Sequence, residues 1–455
     1  MVGFVGREQE LDALEQLYRK DGNSFVVVYG RRRVGKTAVL QQFCKGKENA
    51  FMYTCLRTTP EQNLKGLSTV VLRDVSGGFN SLDALLRHLG MVSQTQKTVL
   101  VIDEYPYYAA VDPSASSILQ VALDTYLRDS HLMLILCGSS MSFMEQDVLG
   151  YKSPLYGRRD MQLKILPFRF ADIHRFFPMA AKTDLAYLYG LTGGIPEYMK
   201  RIDADEAFSR IVCREVLSPT GRLYEEPINA LETEFHEPKN YFAIVQTIAE
   251  GASRLQKIAD KNHLDSALVV NYLSKLVELG FVEKEEPVGT TSGRKTIYRI
   301  MDPLLRFWFR FVAPVSSLLT QLSADRVYAH FIEPYLDQYM GQVFEQIAKE
   351  HILGLSLSFV PVRIGRWWGS DPRTRRQEEI DVVATDGRQW LFGECKWTQR
   401  PVTMQVLDAL RYRSSLVAPE KVSKQYWLFS RNGFDRELLE AKFPDVTLVS
   451  LEDLG

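Results

Sequence analysis

Three unbroken apolar runs punctuate the first third of the chain: Phe25–Tyr29, Thr98–Ile102 and Leu132–Cys137. Each is too short for a helix and shows no polar alternation, so each predicts a strand buried on both faces, as in a parallel sheet. Between and before them the period changes. Leu11, Leu14, Leu17 and Tyr18 recur at helical spacing, and Ala38–Phe43 reads as the opening turns of another helix. Leu191–Tyr198 (Leu-Thr-Gly-Gly-Ile-Pro-Glu-Tyr) predicts a rigid turn inside otherwise helical sequence. Strands alternating with helices predict an α/β first domain.

The pattern then shifts. Residues 211–237 are mostly polar, contain Pro219 and Pro227, and read as lid and linker. Three helices follow: Tyr241–Glu250, Arg254–Asn262 with Ser253 as its expected N-cap, and Asp265–Leu279 ended by Gly280. The third is expected to bury Leu268, Tyr272, Leu276 and Leu279. Phe281–Glu286, a Gly-Thr-Thr-Ser-Gly turn and Lys295–Ile300 predict a hairpin. Three helices and a hairpin make a winged helix, whose third helix reads the DNA major groove in many proteins. Here that helix carries Lys275 against Asp265 and Glu278. A groove reader should be basic, so a structural or protein-contacting role is favoured. The aromatic stretch Asp302–Phe309 is expected to pack between domains.

From about Asp337 a further domain is expected. Gly341–His351 predicts a helix bearing Glu345, and Glu379–Ala384 a strand broken by Asp381. Thr385-Asp386-Gly387-Arg388 is a hairpin turn signal, and Gln389–Trp397 is the return strand. A two-residue loop would set Thr385 opposite Arg388 and Asp381 opposite Phe392. Glu394 would then be the diagonal neighbour of Asp381, about 7–8 Å away on the same face. A loop of odd length would separate them.

At 455 residues, with 45% apolar and 24% charged side chains, two to four ordinary globular domains are expected. The net charge of -1 excludes a global field for nucleic acid, leaving only local patches. One such patch spans Val362–Arg376: Arg363, Arg366, Arg373, Arg375 and Arg376 with Trp367 and Trp368. It reads either as a phosphate-contacting, base-stacking segment or as a flexible basic loop. The five cysteines have no paired spacing, and no run is long enough to span a bilayer. The start carries no signal-peptide pattern, and a cytoplasmic protein without a membrane partner is expected.

The chemistry concentrates in two places. Gly30-Arg31-Arg32-Arg33-Val34-Gly35-Lys36-Thr37 has the form G-x-x-x-x-G-K-[ST], between a strand and a helix. Its glycines let successive N–H groups turn inward to cradle phosphates. Lys36 is expected on the β/γ-phosphates and Thr37 on magnesium. The second apolar run ends in Asp103-Glu104, which suits Asp103 to the same magnesium and Glu104 to the attacking water. Ser139 follows the third run and reads either as a sensor of the γ-phosphate or holder of the water or as a plain strand-to-loop turn; Arg158 and Arg159 read either as neutralising phosphoryl charge or as a solvated surface pair.

As an ordered set, Phe4-Val5-Gly6-Arg7-Glu8, the glycine loop, Val101–Glu104, Cys137–Ser140, Leu155–Arg159 and Gly193–Pro196 resemble the AAA+/STAND class of P-loop ATPases in its archaeal-type branch. The resemblance covers about residues 1–200. It implies an ATPase core there, Gly6 and Arg7 near the adenine, and Pro196 packed on the nucleotide from a helical lid. No clear second sensor arginine is present, which favours a nucleotide-dependent switch over a ring ATPase. The expected division is 1–200 ATPase core, 201–237 lid and linker, 238–312 winged helix, 313–336 linker and 337–455 C-terminal domain.

In that last domain an acid, a turn and Glu394-Cys395-Lys396 resemble the PD-(D/E)XK nucleases, a restriction-endonuclease-like α/β fold. That resemblance implies Glu345 as the acid of the first helix and Gln405 as the polar residue of the following one. Asp381 and Glu394 would hold magnesium while Lys396 positions water for attack on a phosphodiester. The combined expectation is an ATP- and magnesium-dependent protein that regulates DNA cleavage. The alternatives are a nucleotide switch with a silent nuclease fold and a DNA-binding regulator.

Overall fold

A computed structural model describes residues 4–74, 77–203, 205–235, 237–289 and 295–454. Most of the expected turn at 289–293 lies outside the described residues. The chain forms two compact units. Met1–Pro167 and Ile195–Glu197 make the first, Phe168–Gly194 and Tyr198–Gly455 the second.

The first unit is a five-stranded parallel sheet. Its strands are β1 (Ser24–Tyr29), β2 (Ala50–Thr54), β3 (Thr98–Asp103), β4 (Leu132–Gly138) and β5 (Met161–Lys164), in the order β2-β3-β4-β1-β5. Every residue of β1, β3 and β4 is buried, as their unbroken apolar runs require. Val26, Val28, Val99, Val101, Met133 and Ile135 form the sheet's share of one core, which Leu14 and Leu17 of the helix Glu8–Tyr18 and Val39, Leu40 and Phe43 of the helix Lys36–Cys44 complete. The strand bearing the acids does not border β1; β4 lies between them, with Tyr29 level with Gly138 and Ile102 level with Leu136. The carboxyl ends of β1, β4 and β3 therefore lie side by side, where ligands bind in open α/β sheets.

The second unit begins with helical segments. Gly193 and Gly194 close the helix Lys182–Thr192 at φ of 60° and 70°, and a Cβ on Gly194 would sit 2.0 Å from the Phe168 carbonyl oxygen. Three helices follow, Lys239–Ala249, Leu255–Asn262 and Ser266–Glu278, with an antiparallel hairpin of β6 (Val282–Glu285) and β7 (Ile297–Ile300). Two local expectations need correcting. Ser253 is not the cap of the second helix: Arg254 holds that position, and the Ser253 carbonyl accepts from Tyr298 N at 2.7 Å. The third helix is rotated from the expected face. Val269, Leu273 and Leu276 are buried, whereas Leu268 is 41% exposed, because the β6/β7 hairpin and the first helix pack on the neighbouring stripe.

The C-terminal part of this unit is a mixed sheet. It comprises β8 (Arg363–Ser370), β9 (Gln377–Thr385), β10 (Gln389–Lys396), β11 (Ser423–Ser430) and β12 (Val446–Ser450), in the order β12-β11-β10-β9-β8. β8, β9 and β10 are antiparallel neighbours; β10, β11 and β12 are parallel. The helix Met404–Ser415 makes the crossover from β10 to β11. The long helix Glu333–Gly354 contacts β9 and β10. The first part of the arginine–tryptophan stretch is not a loop. It is the edge strand β8, with Trp367 buried and Trp368 Nε1 donating to the Lys295 carbonyl at 3.1 Å. Arg373, Arg375 and Arg376 are exposed in the turn that follows.

Phe392 anchors this sheet. It is fully buried and stacks on Trp390 at 5.8 Å and Tyr426 at 6.1 Å between ring centres. Phe392→Ala should cost the second unit about 3–5 kcal/mol. Denaturant unfolding followed by tryptophan fluorescence checks this; a midpoint unchanged from wild type contradicts it.

Candidate nucleotide site and a buried acid cluster

The glycine loop leaves β1 at Gly30, where β5 comes close: Ile165 N donates to Tyr29 O at 2.7 Å. A Cβ on Gly30 would stand 2.3 Å from the Ile165 carbonyl oxygen, so only glycine fits. Gly35, at φ 94°, turns the chain into the helix Lys36–Cys44. Lys36 is buried, and its Nζ donates to the carbonyls of Gly30 and Arg31, each at 2.9 Å. Burial pulls its pKa below the ordinary value, against the nearby charges of Glu104 and Asp103. The ammonium thus ties the end of the loop back to its start.

The acids meet the loop from β3. Thr37 Oγ1 donates to Asp103 Oδ2 at 2.8 Å, and Thr54 Oγ1 reaches the same oxygen at 3.4 Å. The other oxygen accepts from Glu104 N at 3.0 Å. Glu104 itself sits at φ 50°, a left-handed conformation uncommon for a side chain of its size. Its Oε2 accepts from Ser139 N at 3.2 Å and from Ser139 Oγ at 2.8 Å. The tips of β1, β3 and β4 thus hold Lys36, Thr37, Asp103, Glu104 and Ser139 in one group.

Arg7 braces the loop from outside. Its guanidinium donates to the Val34 carbonyl at 3.1 Å, to the Leu166 carbonyl at 2.6 Å and to Glu10 at 2.9 Å, with Gly6 turned at φ 67° before it. Pro196 lies against the loop's other end, its Cγ 3.7 Å from where a Gly35 Cβ would be. Arg32 donates to the Tyr107 hydroxyl at 2.9 Å, while Arg33 holds the loop at φ 68°. Arg158 is engaged elsewhere, with two 2.7 Å bonds to Asp124. Arg159 leads into β5, where Met161 is level with Val26 and Asp160 N donates to the Phe25 carbonyl at 2.8 Å, so its backbone lies at the amino end of β1, the end away from the loop. Thr54 and Cys137 were not foreseen. Cys137 is fully buried, and burial with Asp103 beside it drives its thiol pKa well up. Its place at the end of β4 was the available signal.

The second group lies on the β9/β10 hairpin. The connection is longer than two residues, because Asp386 Oδ1 accepts from Arg388 N at 2.8 Å and Gln389 N at 2.7 Å and widens the turn. Thr385 pairs with Trp390 and Val383 with Phe392, so the register is shifted from the one expected. Parity is kept, and Asp381 comes level with Glu394 on one face. Asp381 Oδ2 accepts from Cys395 N at 2.9 Å. Burial, then the charges of Glu394 and Glu345, push its pKa up from 3.8 to about 8.

Protein cations take both oxygens of Glu394. Glu394 Oε1 accepts from Lys396 Nζ at 2.7 Å and its Oε2 from Arg413 Nη1 at 2.8 Å. Glu345 faces Arg366 at 3.3 Å and Arg299 at 3.6 Å. Gln405 is exposed in the first turn of its helix; Arg413, two turns on, is the side chain that reaches the cluster. Among the described residues no group of three or more His, Cys, Asp or Glu is arranged to hold a metal ion. With both oxygens of Glu394 taken, this cluster does not fit a divalent cation as it stands. The first site does fit one: Thr37 and Asp103 are hard oxygen donors in contact.

Residues 4–202 match an ATPase domain found predominantly in Archaea, and residues 308–408 match a domain of archaeal and bacterial proteins of unknown function. Over 463 aligned residues the chain is 31% identical to the uncharacterized protein MJECL04 of Methanocaldococcus jannaschii, covering 99% of this chain and 100% of that one. The chain belongs to the family of this relative, and its residues 4–202 are an archaeal-type ATPase domain. A 48-residue stretch is 40% identical to the ATP-binding protein MJ0423 of the same organism, covering 10% of this chain and 81% of that protein. Among solved structures, the Walker-type ATPase PABY2304 of Pyrococcus abyssi shares the fold at a TM-score of 0.52 and 20% identity, over 68% of this chain and 96% of that one. Among the described residues no helix is long and apolar enough to cross a membrane.

Two outcomes follow from these geometries. Lys36→Ala removes the buried ammonium aimed at the loop and should weaken ATP binding at least about tenfold while the fold persists; equilibrium binding and circular dichroism report the two effects. Asp381 binds a proton in the folded chain that it lacks unfolded, so between about pH 4 and about pH 8 stability falls as pH rises. Asp381→Asn should flatten that slope in denaturant titrations at pH 5 and pH 8; identical slopes in both proteins would rule the effect out.

Proposed function

We propose that this chain is a nucleotide switch that binds and hydrolyses ATP and conveys the nucleotide state to its second unit. The contact that carries the proposal is Thr37 on Asp103 at 2.8 Å, beside Lys36 and Glu104. Thr37 and Asp103 would hold magnesium, which would supply neutralisation of phosphate charge. Lys36 exchanges its two carbonyl partners for phosphate oxygens. Glu104 keeps one oxygen on Ser139 and turns the other to the attacking water, accepting its proton. Ser139 thereby reads the state of the reacting end through Glu104. Arg158 is committed to Asp124 and Arg159 enters the sheet at the amino end of β1, so neither is assigned a contact with the transferred group.

The peptide chain offers the route to the second unit. Ile195–Glu197 belongs to the nucleotide-bearing unit and is joined on both sides to the other one. A shift of Pro196 over an occupied loop is passed on through Gly194 and Tyr198.

For the output, metal-dependent DNA cleavage is supported by Asp381, Glu394 and Lys396 on one face of adjacent strands, but it requires Arg413 to leave Glu394. A silent nuclease fold is supported by that same Arg413–Glu394 contact at 2.8 Å. A protein-contacting role suits the third helix of the winged-helix-like segment, whose outer face shows Leu268 and Val270 beside Asn271 and Lys275.

Glu104→Gln should keep ATP binding and lower turnover about 10²-fold or more; phosphate release and nucleotide binding are measured together, and unchanged turnover removes Glu104 from the chemistry. Supercoiled plasmid with magnesium or manganese, with and without ATP, separates the two outputs. Nicking that disappears in Asp381→Ala establishes the nuclease, and its absence from wild type under every condition leaves the silent fold.

A further inference from the structure

We infer that the second unit carries an anion site for a phosphoryl group, built on Arg306 and Arg310 and completed by Arg299 and Arg366. The four arginines line one cavity of about 230 Å³, together with Tyr298 and Gln342. It lies among the end of the helix Lys239–Ala249, β7, the segment 303–312, the helix Glu333–Gly354 and β8.

Two of the arginines have acidic partners. Arg299 lies 3.7 Å from Glu285 and 3.6 Å from Glu345; Arg366 lies 3.9 Å, 3.3 Å and 3.0 Å from Glu285, Glu345 and Glu379. Most of these pairs are longer than a charge-assisted hydrogen bond. The buried Nε of Arg366 and one buried oxygen each of Glu285 and Glu345 have no hydrogen-bond partner. The other two arginines have no ion-pair partner among the described residues. Arg306 lies over the Tyr339 ring at 5.0 Å, and its buried Nε is unpartnered. Arg310 donates to Gln338 Oε1 at 2.8 Å and covers Phe311 at 5.3 Å. Burial, then the charge of Arg306, lower the pKa of Arg310.

Two half-buried cations that repel each other without a counter-charge are unfavourable. A phosphoryl dianion cancels both charges and accepts from their planar forks. The cavity is smaller than the roughly 300 Å³ at which pockets for drug-sized ligands begin. A phosphate or pyrophosphate group fits within it. The source is either a small phosphorylated molecule or the phosphorylated end of a nucleic-acid strand. The site does not depend on the function proposed above.

The test uses the full chain carrying Lys36→Ala, so that the glycine loop does not take the probe. Calorimetric titration with sodium pyrophosphate should show saturable binding. Arg306→Gln and Arg310→Gln, added singly, should each weaken it about tenfold, and pyrophosphate should raise the melting temperature of the Lys36→Ala chain but not of these variants. If a glutamine variant does not fold, Arg306→Lys and Arg310→Lys keep the charge, lose the fork and should still weaken binding. No saturable heat, or unchanged affinity in every folded variant, overturns the site. Competition with short single strands bearing a 5′-phosphate or a 5′-hydroxyl then names the source. Displacement by the phosphorylated strand alone assigns a nucleic-acid end; displacement by neither assigns a small molecule, and both results support the site.

Discussion

The hydrogen bond from Thr37 to Asp103 joins two parts of the chain that meet only because β4 lies between β1 and β3. Thr37 stands at the start of a helix, Asp103 at the end of a strand, and neither is a ligand site alone. Their contact requires the three strand tips to be level. That requires β1, β3 and β4 to be buried along their whole length, since a register slip would strand apolar residues in solvent. The core of the first unit and the composition of the nucleotide site are therefore set by the same constraint.

The second unit solves a different electrostatic problem. Asp381, Glu394 and Glu345 stand close enough to repel, and the chain answers with a raised Asp381 pKa and with Lys396, Arg413, Arg366 and Arg299. Both are ways of avoiding uncompensated buried charge. The first neutralises an acid by holding a proton; the second supplies cations from helices and strands far apart in sequence. Both oxygens of Glu394 are taken in this way. Any metal chemistry there must first displace a guanidinium, which is why the nucleotide-bearing unit is the firmer basis for function.

What was legible in the sequence follows from how local each feature is. The glycine loop was legible because glycine spacing, the preceding apolar run and the following helix carry their physics within a few residues. The face shared by Asp381 and Glu394 was legible through strand parity. Its register was not, because the Asp386 side chain reshapes the turn by capping two backbone N–H groups. Strand order was not legible either: nothing local places β4 between the loop strand and the acid strand. The arginine-rich stretch misled for a similar reason. Arg366 belongs in an edge strand only because Glu285, Glu345 and Glu379 come to it from three other elements. Arg413 was missed because a helix arginine looks solvated until its partner strand is known.

The central claim is that Thr37 and Asp103 form a magnesium-dependent nucleotide site with Lys36. The most direct measurement is titration of the wild-type chain and of Thr37→Ala with a fluorescent ATP analogue, with magnesium and with chelator. The account predicts one saturable site in wild type that magnesium tightens, and a Thr37→Ala chain whose affinity no longer responds to magnesium. Equal magnesium dependence in the two chains, or no saturable binding in wild type, would contradict it.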